Sequence, residues 1–172
     1  MASNREAGAL RLRPYRASDA PIILSWCGDE IGFYQWTAGV LGDYPLNERA
    51  FSAVERLMPF TAFDHSGPVG FFTLREPGGS GEELRFGFVI VDPARRGQGC
   101  GRAMLRLGLN FAFHVYGARR ASLGVFENNP AALRCYLAAG FSIVPTESPE
   151  TYRALGEAWP CLELRKENAA DP

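Results

Sequence analysis

Apolar and polar positions along this 172-residue chain change their period several times, and each change marks an element. Alternation in "ALRLRPY" predicts a short strand over 9–13 that Pro14 ends. Ser18 and Asp19 then offer caps for a helix carrying Ile22, Ile23, Leu24 and Trp26. The stretch 31–45, "IGFYQWTAGVLGDYP", is dense in aromatic residues and reads as a loop. Asn47 opens a helix through Met58, and "FTAF", "DHSG" and "PVGFFTL" predict a hairpin over 60–74. Beyond the loop "REPGGSGEE", the run "LRFGFVIV" at 84–91 starts by alternating and becomes apolar on both sides, as a central strand does. From Arg102 the positions Met104, Leu105, Gly108, Leu109, Phe111, Ala112 and Val115 recur at helical spacing until Gly117. "ASLGVF" at 121–126 is a strand, and Asn129 with Pro130 starts a helix that Gly140 stops. "FSIV" and "CLELR" close the chain as strands joined by a long connection. No repeat or linker interrupts this series, which predicts one mixed α/β domain over residues 1–172.

Composition narrows the class of function. Apolar residues make up 47% and charged residues 22%, which a packed globular chain requires. A formal net charge of −1 without a basic stripe argues against nucleic acid as a partner. No window holds 18 consecutive apolar residues, so no membrane span is expected. The first residues lack an apolar signal core, which points to a cytoplasmic protein. Cys27, Cys100, Cys135 and Cys161 are scattered, and His65 and His114 fall at no ligand spacing from them, so no metal is expected.

The chemistry concentrates in "VIVDPARRGQGCG". A strand that ends in a glycine-rich turn and runs into a helix aims several backbone N–H groups and a helix N-terminus at one point, an arrangement suited to phosphate. Glycines at 97, 99 and 101 remove β-carbons and permit positive φ. No Lys follows them as a Walker-type loop demands, and the spacing Gly-x-Gly-x-Gly is not that of a dinucleotide fingerprint.

The same segment resembles the acetyl-CoA pyrophosphate loop of the GNAT superfamily of N-acetyltransferases, Gln/Arg-x-x-Gly-x-Gly/Ala, in Arg96, Gly99 and Gly101. A second signature follows in order: "VFENNPAALRCYLAAGF" is similar to the family's strand, Asn-x-x-Ala, helical Tyr and Gly-Phe, at Asn129, Ala132, Tyr136, Gly140 and Phe141. The resemblance implies a mixed, mostly antiparallel sheet of six to seven strands flanked by helices, with a central strand pair splayed around the pantetheine arm. It implies acetyl-CoA as acyl donor and a primary amine of a small molecule or a protein N-terminus as acceptor, in an acetyltransferase that works without metal, of a family whose members often form homodimers.

Site roles follow from that resemblance. Backbone groups of Phe88, Val89, Ile90 and Val91 would pair with pantetheine. Arg96, Gly97, Gln98, Gly99, Cys100, Gly101 and Arg102 would hold the pyrophosphate, with charge added by Arg95 and Arg96, and Asn129 and Tyr136 would complete the cofactor site. Tyr136 would protonate the departing thiolate. The usual base is less legible, because the positions where relatives carry Glu hold Arg85 and Gly124. Glu83 shares the strand face of Arg85 and is the candidate base, with Glu127 as the other. Glu30, Tyr34 and Trp36, backed by Tyr152 and Trp159, are candidates for acceptor contacts. Loss of both usual carboxylates leaves a second reading open, a non-catalytic acyl-CoA sensor on the same fold.

Overall fold

A computed structural model describes residues 9–169. Its order is β1 (Arg11–Pro14), α1 (Ala20–Ser25), α2 (Glu30–Thr37), α3 (Glu48–Phe51), β2 (Met58–Asp64), β3 (Gly67–Arg75), β4 (Glu83–Val91), α4 (Cys100–Asn110), β5 (Arg120–Phe126), α5 (Pro130–Ala138), β6 (Ser142–Ile143), β7 (Glu150–Ala154) and β8 (Glu157–Glu167). One sheet takes all eight strands in the order β1-β2-β3-β4-β5-β8-β6, with β7 also on β8. Every pairing is antiparallel except β4 with β5.

Neighbouring side chains on a strand point to opposite faces, and β3 shows the consequence. Phe72 joins the core under α4 and α5, with Met104, Leu105, Tyr136 and Leu164, while Phe71 joins a second core under α1 and α3, with Ile23, Trp26 and Phe51. The sheet therefore carries a helical layer on each face. The helical stripe read from Met104 to Val115 is α4 followed by a π-helical turn, Phe111–Tyr116, which Gly117 ends at φ 86°.

Three expectations need correction. The stretch 31–45 is not all loop: α2 occupies its first half, because Asp29 caps it by accepting from the Gly32 amide at 2.6 Å. Ala38 (φ 53°) and Gly39 (φ 72°) then end that helix. The connection before the last strand holds β7, which forms a hairpin with β8, so the sheet has eight strands rather than six to seven. The helix expected from Asn47 to Met58 is the single turn α3 and a 3₁₀ segment, Ser52–Arg56, after which the chain is already extended at Met58. Asp19 takes a role that capping rules miss. It is buried at 5% exposure and binds both terminal nitrogens of Arg13 at 2.7 Å and the Thr61 hydroxyl at 2.9 Å, tying the α1 entrance to β1 and β2.

Candidate active site

Strands β4 and β5 pair only at Glu83–Arg120, Leu84–Ala121 and Arg85–Ser122. Beyond that, β4 continues on β3 and β5 continues on β8, so the two strands part company. Their facing edges, from Gly87 and from Leu123 onward, have no ladder partner in each other. An extended amide chain is the natural occupant of such an edge.

A bulge shapes the β4 side. Phe71 pairs with Ile90 but Thr73 with Gly87, so β4 spends one residue more than β3. Phe88 takes φ 49° there, and the side-chain alternation inverts: Leu84 and Phe86 pack under α4 and α5, whereas Phe88 and Ile90 pack under α1 and α3. The Phe88 carbonyl accepts from the Trp36 indole at 2.9 Å. Trp36, expected at the acceptor, is thus a brace from α2 to the bulge. Phe88 has its carbonyl engaged by Trp36, as Val91 has its own by Arg96, within the stretch 88–91 expected to pair with pantetheine.

The glycine turn leads into α4. Gly97 (φ 72°) and Gly99 (φ 80°) sit in the left-handed region that favours glycine, and Gly99 is the N-cap. Gly101 has a different reason: a β-carbon there would stand 2.8 Å from Cys135 Sγ on α5. It is glycine so that α4 and α5 can touch. The first bond into the helix is from the Ala103 amide to Gly99. Among the described residues the amides of 97–102 have no backbone acceptor outside the helix, which leaves them available for an anion. Arg102 and Arg106 line a 340 Å³ depression beside this turn together with Gly99. Edge and turn together fit acetyl-CoA.

The two loop arginines divide their labour. Arg95 donates to Asp64 at 2.7 Å and to Ser66 at 3.2 Å and also interacts with Cys100, pinning the turn to the β2–β3 hairpin. Asp64 is 4% exposed, and its bonds from Arg95 and then Ser66 hold its carboxyl well below the ordinary 3.8. This contribution to stability is therefore complete above pH 3.8 and is lost only as pH falls toward the depressed folded value. Arg96 is exposed, with its Nε on the Val91 carbonyl at 3.2 Å, so its terminal nitrogens face solvent beside the free amides. Asp64→Asn should lower Tm by about 5 °C and raise KM for acetyl-CoA without a matching fall in kcat. A thermal melt and a donor titration check both.

Tyr136 lies on the buried face of α5, 8% exposed, in the core that also holds Leu123 and Val125 of β5. Burial, with a smaller push from Cys135, raises its phenol well above the ordinary 10.0. Asn129 caps α5, its side chain accepting from Ala132 at 3.3 Å, as its place before Pro130 implies. Cys100 opens α4, half-buried.

On the opposite face a polar run crosses the sheet where β4 and β5 begin to part. Arg120 meets Glu83 at 3.2 Å, and the Ser122 hydroxyl donates to Glu83 at 2.5 Å. Arg85 Nη1 donates to Ser122 at 3.3 Å and to both oxygens of Glu163 at 2.8 and 3.0 Å. Burial opposes the charge on Arg85, but Glu163 more than restores it, so the guanidinium stays protonated. Gly124 makes room for it, because a β-carbon there would be 3.1 Å from Arg85 Nη2. The two departures at 85 and 124 are one feature: a long cation laid over a missing side chain. Glu163, on β8 opposite Gly124, was missed in the sequence because nothing in "CLELR" shows which strand it pairs with. Tyr34 packs against Phe126 and Trp159, with Tyr152 and Cys161, in a third cluster beside this run. Glu30 is the exposed first residue of α2, and Glu127 borders the Asn129 cap, its amide bonded to Pro160.

Among the described residues, no group of His, Cys, Asp and Glu could hold a metal, and no helix is long and apolar enough to cross a membrane. The fold is similar to that of a spermidine N-acetyltransferase from Vibrio cholerae, solved with CoA and spermine. The TM-score is 0.76 at 17% identity, over 92% of this chain and 95% of that one. It is also similar to a structure assigned as a phosphinothricin N-acetyltransferase, with a TM-score of 0.73 at 18% identity over 92% and 98%. The sequence profile described as the acetyltransferase (GNAT) family matches residues 25–141. With that match over both signatures, the splayed strand pair and the open amides of the glycine turn, the chain belongs to the acetyltransferase (GNAT) family and is an N-acetyltransferase that takes its acetyl group from acetyl-CoA.

Proposed function

We propose that acetyl-CoA lies with its pantetheine along the inner edge of β4 at Val89, Ile90 and Val91. Its pyrophosphate would rest on the amides of Gly97, Gln98, Gly99, Cys100, Gly101 and Arg102, with Arg96 and Asn129 alongside. The observation that carries this is the row of available amides at the α4 N-terminus, next to a strand edge that β5 has left. Acceptor amines enter from the face of α2 and the β7–β8 hairpin, past Glu30, Tyr34, Tyr152 and Trp159.

Transfer requires a neutral amine and a stabilised leaving thiolate. Tyr136 is the donor to sulfur, protonated because of its burial. The amine proton leaves toward the polar run. Of the two carboxylates in that run Glu163, held by Arg85, is the more exposed, and Glu83 accepts from the Ser122 hydroxyl and is paired with Arg120. Bringing donor and acceptor together in this slot supplies several kcal/mol, on the order of 7 or more, of the barrier reduction. Free thiols at all four cysteines suit a reducing compartment, and with it a cytoplasmic enzyme.

The test is thiol release from acetyl-CoA across a panel of amines, with Glu163→Gln and Glu83→Gln beside the wild type. Glu163→Gln should lower kcat/KM by about a hundredfold and Glu83→Gln by about tenfold. A larger loss in Glu83→Gln would return the base to Glu83. No thiol release with any amine, and no rise in Tm with CoA, would remove acetyl transfer from this site.

A further inference from the structure

Resting on the acetyltransferase reading, the geometry around Arg85 points to the class of acceptor. We infer that it is a zwitterion: a compound, such as a free amino acid, that carries a carboxylate close to the amine to be acetylated.

Only one nitrogen of Arg85 is used internally. Nη1 makes all three of its bonds, to Ser122 and to both oxygens of Glu163. Among the described residues Nε and Nη2 have no hydrogen-bond acceptor, and Nη2 lies 3.1 Å from where a β-carbon of residue 124 would stand. The side chain is 21% exposed and that of Glu163 34%, so both reach the surface of the slot. A guanidinium presents its donors in a flat fork, and a carboxylate accepts two of them side by side. The free edge of Arg85 is therefore a docking position for one carboxylate, next to a Glu163 carboxylate that can receive an ammonium.

Charge supports the same choice. The run across β4, β5 and β8 includes the ion pairs Arg120–Glu83 and Arg85–Glu163, with Arg165 and Glu167 on the same face of β8 opposite Ser122 and Arg120, so both signs of charge line it. A polyamine would bring cations alone and would face the unpaired edge of Arg85. A zwitterion answers both partners. Tyr34, Tyr152, Phe126 and Trp159 beside the pair offer a ring-lined wall to whatever side chain the acceptor carries. A side chain at position 124 would displace this arrangement, since its β-carbon would stand 2.9 Å from Cys161 Sγ and 3.1 Å from Arg85 Nη2.

The experiment measures acetylation of the twenty free amino acids, the same compounds as C-terminal amides, and spermidine, using the full chain and acetyl-CoA. CoA binding is followed separately by thermal shift. One or more free amino acids should be acetylated, their amides at least tenfold less efficiently, and spermidine least of all. Arg85→Lys and Arg85→Gln should raise KM for the free acid by about ten- to a hundredfold, well beyond any change in KM for the amide, and should keep the CoA-induced shift. The double variant Arg85→Gln/Glu163→Gln, which leaves neither member of that pair without its partner, guards against loss of fold: it should keep the CoA-induced shift, and its activity on the amide should fall no further than in Glu163→Gln alone. Equal rates on acids and amides, preference for spermidine, or no amino acid acetylated while CoA still binds would each overturn the inference and leave the donor site standing. Failure of CoA to bind would overturn both.

Discussion

Tyr136→Phe should lower kcat by about a hundredfold while leaving KM for acetyl-CoA nearly unchanged. The phenol sits at the buried face of α5, beside the β5 edge that bounds the slot, and burial holds it protonated past its ordinary value of 10.0. A phenol so poised is a weak acid against a thiol, whose ordinary value is near 8.5. In the proposed role its contribution would be a hydrogen bond aimed at charge that develops on sulfur, more than complete delivery of a proton. Such a donor acts on the transition state and scarcely on the bound thioester, which is why kcat falls and KM does not. The pH profile separates this role from simple packing. Since the folded phenol titrates above 10.0, the wild type should show no alkaline loss assignable to Tyr136 as pH rises through 10. A Phe variant with wild-type kcat would reduce Tyr136 to a core residue.

Both acetyl-CoA signatures could be read as sequence because each is local. A turn's glycines and a helix cap depend on residues a few positions apart, so Gly97, Gly99 and Asn129 with Pro130 carry their reasons in the chain. Helix α4 was equally legible, its stripe from Met104 to Leu109 all buried on one side apart from Leu107 and exposed Arg106. What escaped depends on partners far along the chain. The Phe88 bulge is set by the β3 register, and alternation in "LRFGFVIV" hides it because both faces are apolar. Trp36 finds the Phe88 carbonyl across 52 residues, and Arg85 finds Glu163 across 78. Gly101 looked like part of the phosphate turn, but its reason lies on α5. The loop reading of 31–45 failed differently. Asp29, which caps α2, lies just outside the aromatic stretch, so the stretch itself carries no helix start signal.

Gly108→Val should cost about 3 kcal/mol and lower Tm by about 10 °C. The periodic pattern places Gly108 on the buried stripe of α4, where glycine is a poor helix residue by about 1 kcal/mol relative to Ala. Packing has to outweigh that cost, and the distances show that it does. A β-carbon at Gly108 would stand 2.6 Å from Phe86 Cε1 and 2.8 Å from Phe72 Cζ, far inside contact distance. Neither ring can yield: they are 3% and 0% exposed, lie 5.1 Å apart, and are flanked by Phe141 on one side and Phe60 on the other. The helix must therefore lift off the sheet, and two further methyls on Val make the lift larger. Arg106→Val, on the exposed side of the same helix, carries the β-branched propensity loss alone and should shift Tm by only about 2 °C. Lifting α4 also moves the amides at its N-terminus away from the β4 edge, so any folded Gly108→Val protein should bind acetyl-CoA more weakly. A variant that melts within about 2 °C of the wild type would mean that the close seat of α4 on Phe72 and Phe86 does not set the position of the glycine turn.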